Sequence, residues 1–94
     1  MILVDDAVWP WRDLRWAHLV SDVSYDELHA FAAGLGIPRR AFQGDHYDVH
    51  TELRARAIAA GAVPIGTKEL VTRLRAAGLR KRHRYGYDAG RGAV

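Results

Sequence analysis

Ninety-four residues, 49% of them hydrophobic, suffice for one domain with a single modest core and leave no room for a second. Cysteine is absent, which excludes disulfides, thiolate metal sites and a cysteine nucleophile, so any metal has to be held by imidazole and carboxylate groups. The net charge of +3 is unevenly spread: residues 1–79 carry nine Lys/Arg against ten Asp/Glu and residues 80–94 five against one, which predicts a near-neutral compact body over 1–79 and a basic, flexible tail over 80–94.

Ile2-Leu3-Val4 is a short apolar run that predicts a buried first strand, with Asp5 and Asp6 delivered to its C-terminal end, where α/β sheets gather ligands. Two carboxylates so early fit neither a signal peptide nor a membrane span, and a soluble cytoplasmic protein is the expectation. Trp9-Pro10-Trp11 should interrupt regular structure, because proline restricts its predecessor and cannot donate to a ladder, so residues 7–15 are expected to form a loop. From Trp16 to Asp22 a second strand is expected, and alternation would put Trp16, His18, Val20 and Asp22 on one face.

Ser24-Tyr25-Asp26-Glu27 has the form of a capping box and starts a helix whose core stripe is Leu28, Phe31, Ala32 and Leu35, stopped by Gly36 and Pro38. Ala41-Phe42-Gln43 reads as strand-like, Gly44-Asp45 as a turn, and His46-Tyr47-Asp48-Val49 as a short extended piece in which His46 and Asp48 share a face. Thr51 should cap a second helix with Leu53 and Ala57 inward and Arg54 and Arg56 in solvent. After Gly61, Ala62–Ile65 reads as a strand at a sheet edge, and Gly66-Thr67 as the cap of a third helix built on Leu70, Val71 and Leu74. The order of elements predicts a small, single-domain, layered α/β fold with a short, partly parallel sheet and about three helices. Its alanine-rich helices leave room for a homodimer.

The chemistry concentrates in Phe42–Val49 and in the His18–Asp22 strand. If these meet, His18, His46 and Asp48 are the expected metal ligands, with His46, Asp48 and Asp22 as the catalytic set. Two imidazoles and a carboxylate suit zinc, manganese or ferrous iron, and a hydrolase acting on a phosphoester or similar polar bond would follow. Asp5 or Asp6 and His29 are further candidates for the cluster, and Trp9, Trp11, Tyr47 and His29 for the walls that bind a small molecule.

Each residue also has a plainer role. His18 can be a hydrogen-bonded strand histidine, Asp22 a residue at a helix entry, His29 a flank of its helix, Trp16 a core side chain, and Asp5 and Asp6 the end of a strand, while His50 is expected in solvent. No H-E-x-x-H, phosphate-binding glycine loop or G-x-S-x-G is present. The alternative reading is a module that binds nucleic acid or a partner protein, with Arg80-Lys81-Arg82-His83-Arg84 meeting phosphates and the tryptophans adding stacking contacts.

Trp9, the His18…Asp22 pair, Glu27-Leu28-His29 with Phe31-Ala32, the His46-Tyr47-Asp48 triplet and Gly61-Ala62 together resemble the domain of unknown function 4031 family, small proteins of bacteria and their phages. The likeness runs from residue 1 to about 78 and leaves the tail outside it. It implies a shared compact domain and a shared polar constellation, and it carries no assigned activity.

Overall fold

In the computed structural model, which describes residues 1–81, a five-stranded mixed sheet is packed between helices on both faces. The central strand is β3 (Leu14–Ser21), preceded by β1 (Ile2–Val4) and β2 (Trp9–Trp11), both antiparallel to it. The loop expected over 7–15 is therefore in part a hairpin. Trp9 pairs with Trp16, Pro10 with Arg15 and Trp11 with Leu14, and Arg12 and Asp13 make the turn with φ of 51° and 62°. Two residues with positive φ are what a two-residue turn between twisted antiparallel strands requires. Pro10 is tolerated because β2 is an edge strand, where its missing N–H deprives no neighbour.

On the other side of β3 runs β4 (Tyr47–His50), also antiparallel, with His18 opposite Asp48 and Leu19 opposite Tyr47. β5 (Val63–Pro64) adds to β1 in parallel, so the sheet is partly parallel as expected. No strand forms over Ala41–Gln43. Arg39–Ala41 is a short 3-10 turn, and the chain reverses at Gly44 (φ 84°), where Gln43 N–H donates to the His46 carbonyl at 2.8 Å.

Strand alternation divides the interior in two. Ile2, Val4, Ala17, Leu19, Tyr47 and Val49 face α1 (Tyr25–Gly34) and α2 (Thr51–Ala59), meeting Leu28, Ala32 and Ala57 there. Leu3 and Val20 face the opposite way, against Leu70 and Leu74 of α3 (Thr67–Ala76). Each fully buried leucine of these layers contributes about 2 kcal/mol through apolar area removed from water.

The helix starts differ in detail from expectation. Ser24 caps α1 by accepting from the Glu27 N–H at 3.0 Å, but the Glu27 carboxylate turns to the Ser21 hydroxyl, so the box is half made. His50, not Thr51, caps α2, its Nδ1 accepting from Leu53 N–H at 3.3 Å. Gly66 occupies the cap position of α3, and the Thr67 hydroxyl is directed to Asp5 instead. Arg54, expected in solvent, donates through Nε to the Asp5 carbonyl at 2.7 Å. Among the described residues no helix is long and apolar enough to cross a membrane. The tail from residue 82 onward lies outside the described residues.

Candidate functional site

The face of the sheet that receives α3 is only partly covered by it. Leu3 and Val20 lie under α3, whereas His18, two residues before Val20 on the same face, sits at the margin of that cover. The antiparallel register sets Asp48 directly across from His18, and His46, two residues before Asp48, shares its side of the chain. One donor atom from each of His18, His46 and Asp48 lies within 4.8 Å of the other two. The two imidazoles meet edge to face, with ring centres 5.0 Å apart.

Behind each imidazole stands a carboxylate that is 1% exposed. Asp5 Oδ2 is 2.8 Å from His18 Nδ1, while Asp5 Oδ1 accepts the His18 backbone N–H at 2.6 Å and Oδ2 also accepts the Thr67 hydroxyl at 2.9 Å. Asp45 Oδ1 is 2.7 Å from His46 Nδ1, and its Oδ2 accepts the Lys81 N–H at 2.9 Å and lies 3.5 Å from the Arg80 guanidinium. An ionised carboxylate can only accept, so in both pairs the proton sits on Nδ1 and the ring is pinned with Nε2 turned outward. Burial opposes the charge on Asp5 and Asp45. The hydrogen bonds from imidazole, backbone and, for Asp5, Thr67 prevail and hold both below the ordinary carboxylate range.

His46 Nε2 lies 3.1 Å from Asp48 Oδ1. That contact is a charge pairing off the hydrogen-bonding line, and Asp48 Oδ1 is buried with no hydrogen-bond partner among the described residues. Burial lowers the pKa of His46, but Asp45 and Asp48 outweigh it and raise the value to about 9. The sign of the consequence follows from linkage. A folded-state pKa above the unfolded 6.5 gives a stabilisation fully present below pH 6.5 and lost as pH rises through about 9. In metal-free protein the His46 Cε1–H resonance is thus expected to titrate near pH 9, and denaturant unfolding should show stability falling from pH 7 to 10; a midpoint near 6.5 would contradict the pairing.

Between His18 and His46 at one end and Leu70, Val71 and Leu74 of α3 along its side lies a cavity of about 150 Å³, with Arg80 at its edge. Trp9 borders the cluster from the other direction. Its ring centre is 6.1 Å from that of His18 and 6.2 Å from that of Trp16, on which it stacks, and its indole N–H is buried without a partner among the described residues. Trp11 is 52% exposed at the hairpin, with the Arg12 guanidinium 4.7 Å above its ring.

The remaining candidates lie elsewhere. Asp22 is held by Arg73 at 2.8 Å and by the Met1 amine at 2.9 Å and does not join the three donors. Tyr47, 1% exposed, points to the opposite face of the sheet from its neighbours His46 and Asp48, and its hydroxyl is 2.8 Å from His29 Nδ1 within a group completed by Phe42. Tyr47→Phe is expected to cost about 1 kcal/mol in urea unfolding, the usual worth of one buried hydrogen bond, and to leave the His18–His46–Asp48 face unchanged. Asp6 is 70% side-chain exposed and 3.6 Å from Arg54.

Asp45 and Thr67, read from the sequence as a turn and a helix cap, and Arg80, read there as part of a basic run meeting phosphates, take part in this site, and Asp5 takes part more deeply than an end of strand would. The available signals were adjacency for Asp45, which precedes His46, and the placement of Asp5 just past an apolar strand. Thr67 and Arg80 gave none, because their relevance depends on α3 folding back over β3. No curated relative and no solved structure shows significant similarity to the chain. The sequence model described as "Protein of unknown function (DUF4031)" matches residues 2–77, and the chain therefore belongs to that family.

Proposed function

We propose that His18, His46 and Asp48 hold one divalent metal ion, zinc, manganese or ferrous iron, and that the protein is a hydrolase using metal-activated water on a phosphoester or similar polar bond. The observation that carries this reading is the pair of buried carboxylates, Asp5 and Asp45, fixing the Nδ1 of two imidazoles that each bring a donor atom within 4.8 Å of one from Asp48. A carboxylate behind each ligating imidazole is the arrangement that orients such ligands and raises their basicity. The buried Asp48 Oδ1, 3.1 Å from His46 Nε2 but without a hydrogen bond among the described residues, supplies the anionic donor such an ion would satisfy. Three protein donors leave coordination positions open, and a metal there lowers the pKa of bound water to about 7.

Among the described residues no carboxylate at the cluster is left over to serve as a separate base. Asp5 and Asp45 are committed to imidazoles, and Asp22 is committed to Arg73. The test is elemental analysis of protein purified without a histidine tag, then calorimetric titration with zinc, manganese and ferrous iron, and a hydrolysis assay on aryl phosphates. About one ion per chain is expected. Protein that takes up none of the three at micromolar concentration would refute the reading.

The exposed Trp11, beside Leu14 and Val8 on the hairpin, favours a second reading as a module that binds nucleic acid or a partner protein. Binding of that kind should weaken steeply with salt and be lost when residues 82–94 are removed, a truncation that keeps Arg80 and Lys81 beside Asp45 and that metal-dependent hydrolysis would survive.

A further inference from the structure

We propose that the ligand of this site is a small amphipathic oxyanion, an aryl or short alkyl group bearing a carboxylate or phosphate. The proposal deepens the metal reading and rests on it. Its ground is the cavity beside the imidazoles, whose lining is mixed. Val20, Leu70, Val71 and Leu74 give it aliphatic walls, and His18, His46, Thr67 and Arg80 give it polar ones.

Size limits the ligand first. At about 150 Å³ the cavity matches an apolar cavity known to admit one benzene ring. A nucleotide or a polymer segment does not fit inside it. Inorganic phosphate alone would leave the aliphatic walls facing water, and a neutral hydrocarbon would leave the open positions of the metal without an oxygen partner.

Charge selects the head group. Asp5 and Asp45 are buried and already paired with the imidazoles behind the cavity, and neither they nor Asp48 lines it. The charged side chain that does line it is Arg80, next to the two imidazoles. The Arg80 contact to Asp45 engages Nη1 at 3.5 Å, and a guanidinium has five donors in a planar fork, suited to a carboxylate or phosphate. An anion bridging the metal and Arg80, with its apolar body along α3, satisfies every wall at once.

The test uses the full chain loaded with zinc, with the zinc content measured separately, and benzoate, phenyl phosphate, inorganic phosphate and benzyl alcohol as calorimetric probes. Benzoate or phenyl phosphate is expected to bind at least tenfold more tightly than benzyl alcohol or inorganic phosphate. Whichever aryl anion binds more tightly identifies the head group as carboxylate or phosphate. Arg80→Gln should weaken the aryl anion about tenfold when compared at zinc content equal to the parent's. Val71→Phe, which fills the cavity, should abolish aryl binding and spare zinc.

If zinc loads but benzyl alcohol binds as well as the anions, or Arg80→Gln binds them equally, this ligand class is wrong and the metal reading stands. If zinc does not load, both fall.

Discussion

His46→Ala is expected to abolish stoichiometric zinc binding, and Asp45→Asn to weaken it 10- to 100-fold, both read by calorimetry against the parent protein. The first removes a donor outright. The second keeps all three donors and alters only what stands behind one of them. Asp45 accepts from His46 Nδ1 on one oxygen and from the Lys81 N–H on the other, so an asparagine amide must turn its NH₂ toward one of these donors. Either the ring loses its anchor or the backbone of Lys81 does, and a neutral oxygen no longer makes the imidazole more basic. Replacement of a group in that supporting position ordinarily costs 10–100-fold in metal affinity. The two results together discriminate: equal affinity for Asp45→Asn and the parent would mean that the acid does not support the ring. Retained stoichiometry in His46→Ala would mean that the ion, if bound, sits elsewhere.

The division of labour between His46 and Asp45 also shows what a sequence can disclose. Imidazoles and carboxylates at alternating positions were legible, because period-two geometry fixes which side chains share a face before any tertiary contact is known. The same parity puts Tyr47 on the other face from His46 and Asp48, so its place in the core with His29 was implicit in the spacing that singled out the histidine. Ser24 as a cap and Gly36 as a stop are local chemistry and were equally readable.

What escaped depends on distant parts of the chain. Gly44-Asp45 has the composition of a solvated turn, yet Asp45 is buried and takes partners from Arg80 and from Lys81, the latter 36 residues further along the chain. The Trp9–Trp16 pairing is masked by Pro10 and by a turn of Arg12-Asp13 that lacks glycine. An edge strand tolerates the first and aspartate tolerates the second, and neither tolerance shows in propensities.

The second large effect is expected at Asp5. Asp5→Ala should destabilise the fold by roughly 2–4 kcal/mol in urea unfolding of metal-free protein, since a hydrogen bond to a charged acceptor is worth about 1.5–3 kcal/mol and two of the three partners of Asp5 are partly exposed. Three donors converge on this carboxylate: the His18 backbone N–H, the His18 ring and the Thr67 hydroxyl. They come from β3 and from the first residue of α3, so Asp5 ties the sheet to the helix that walls the cavity. Alanine leaves the His18 backbone N–H without its acceptor and removes the partner of the His18 ring and of the Thr67 hydroxyl, whose residues are partly exposed. Asp5→Asn retains the shape and one accepting oxygen and should lose less, about half. Because the Asp5 pKa is held low in the folded protein, its contribution is present above the unfolded value of 3.8 and fades as pH falls through the lower folded one, so the gap between parent and Asp5→Ala should narrow in acid. A domain of this length has a total stability of about 5–15 kcal/mol, so Asp5→Ala can remove much of it. If Asp5→Ala unfolds within 1 kcal/mol of the parent at neutral pH, Asp5 does not join β3 to α3, and the orientation of His18 has to come from the strand alone.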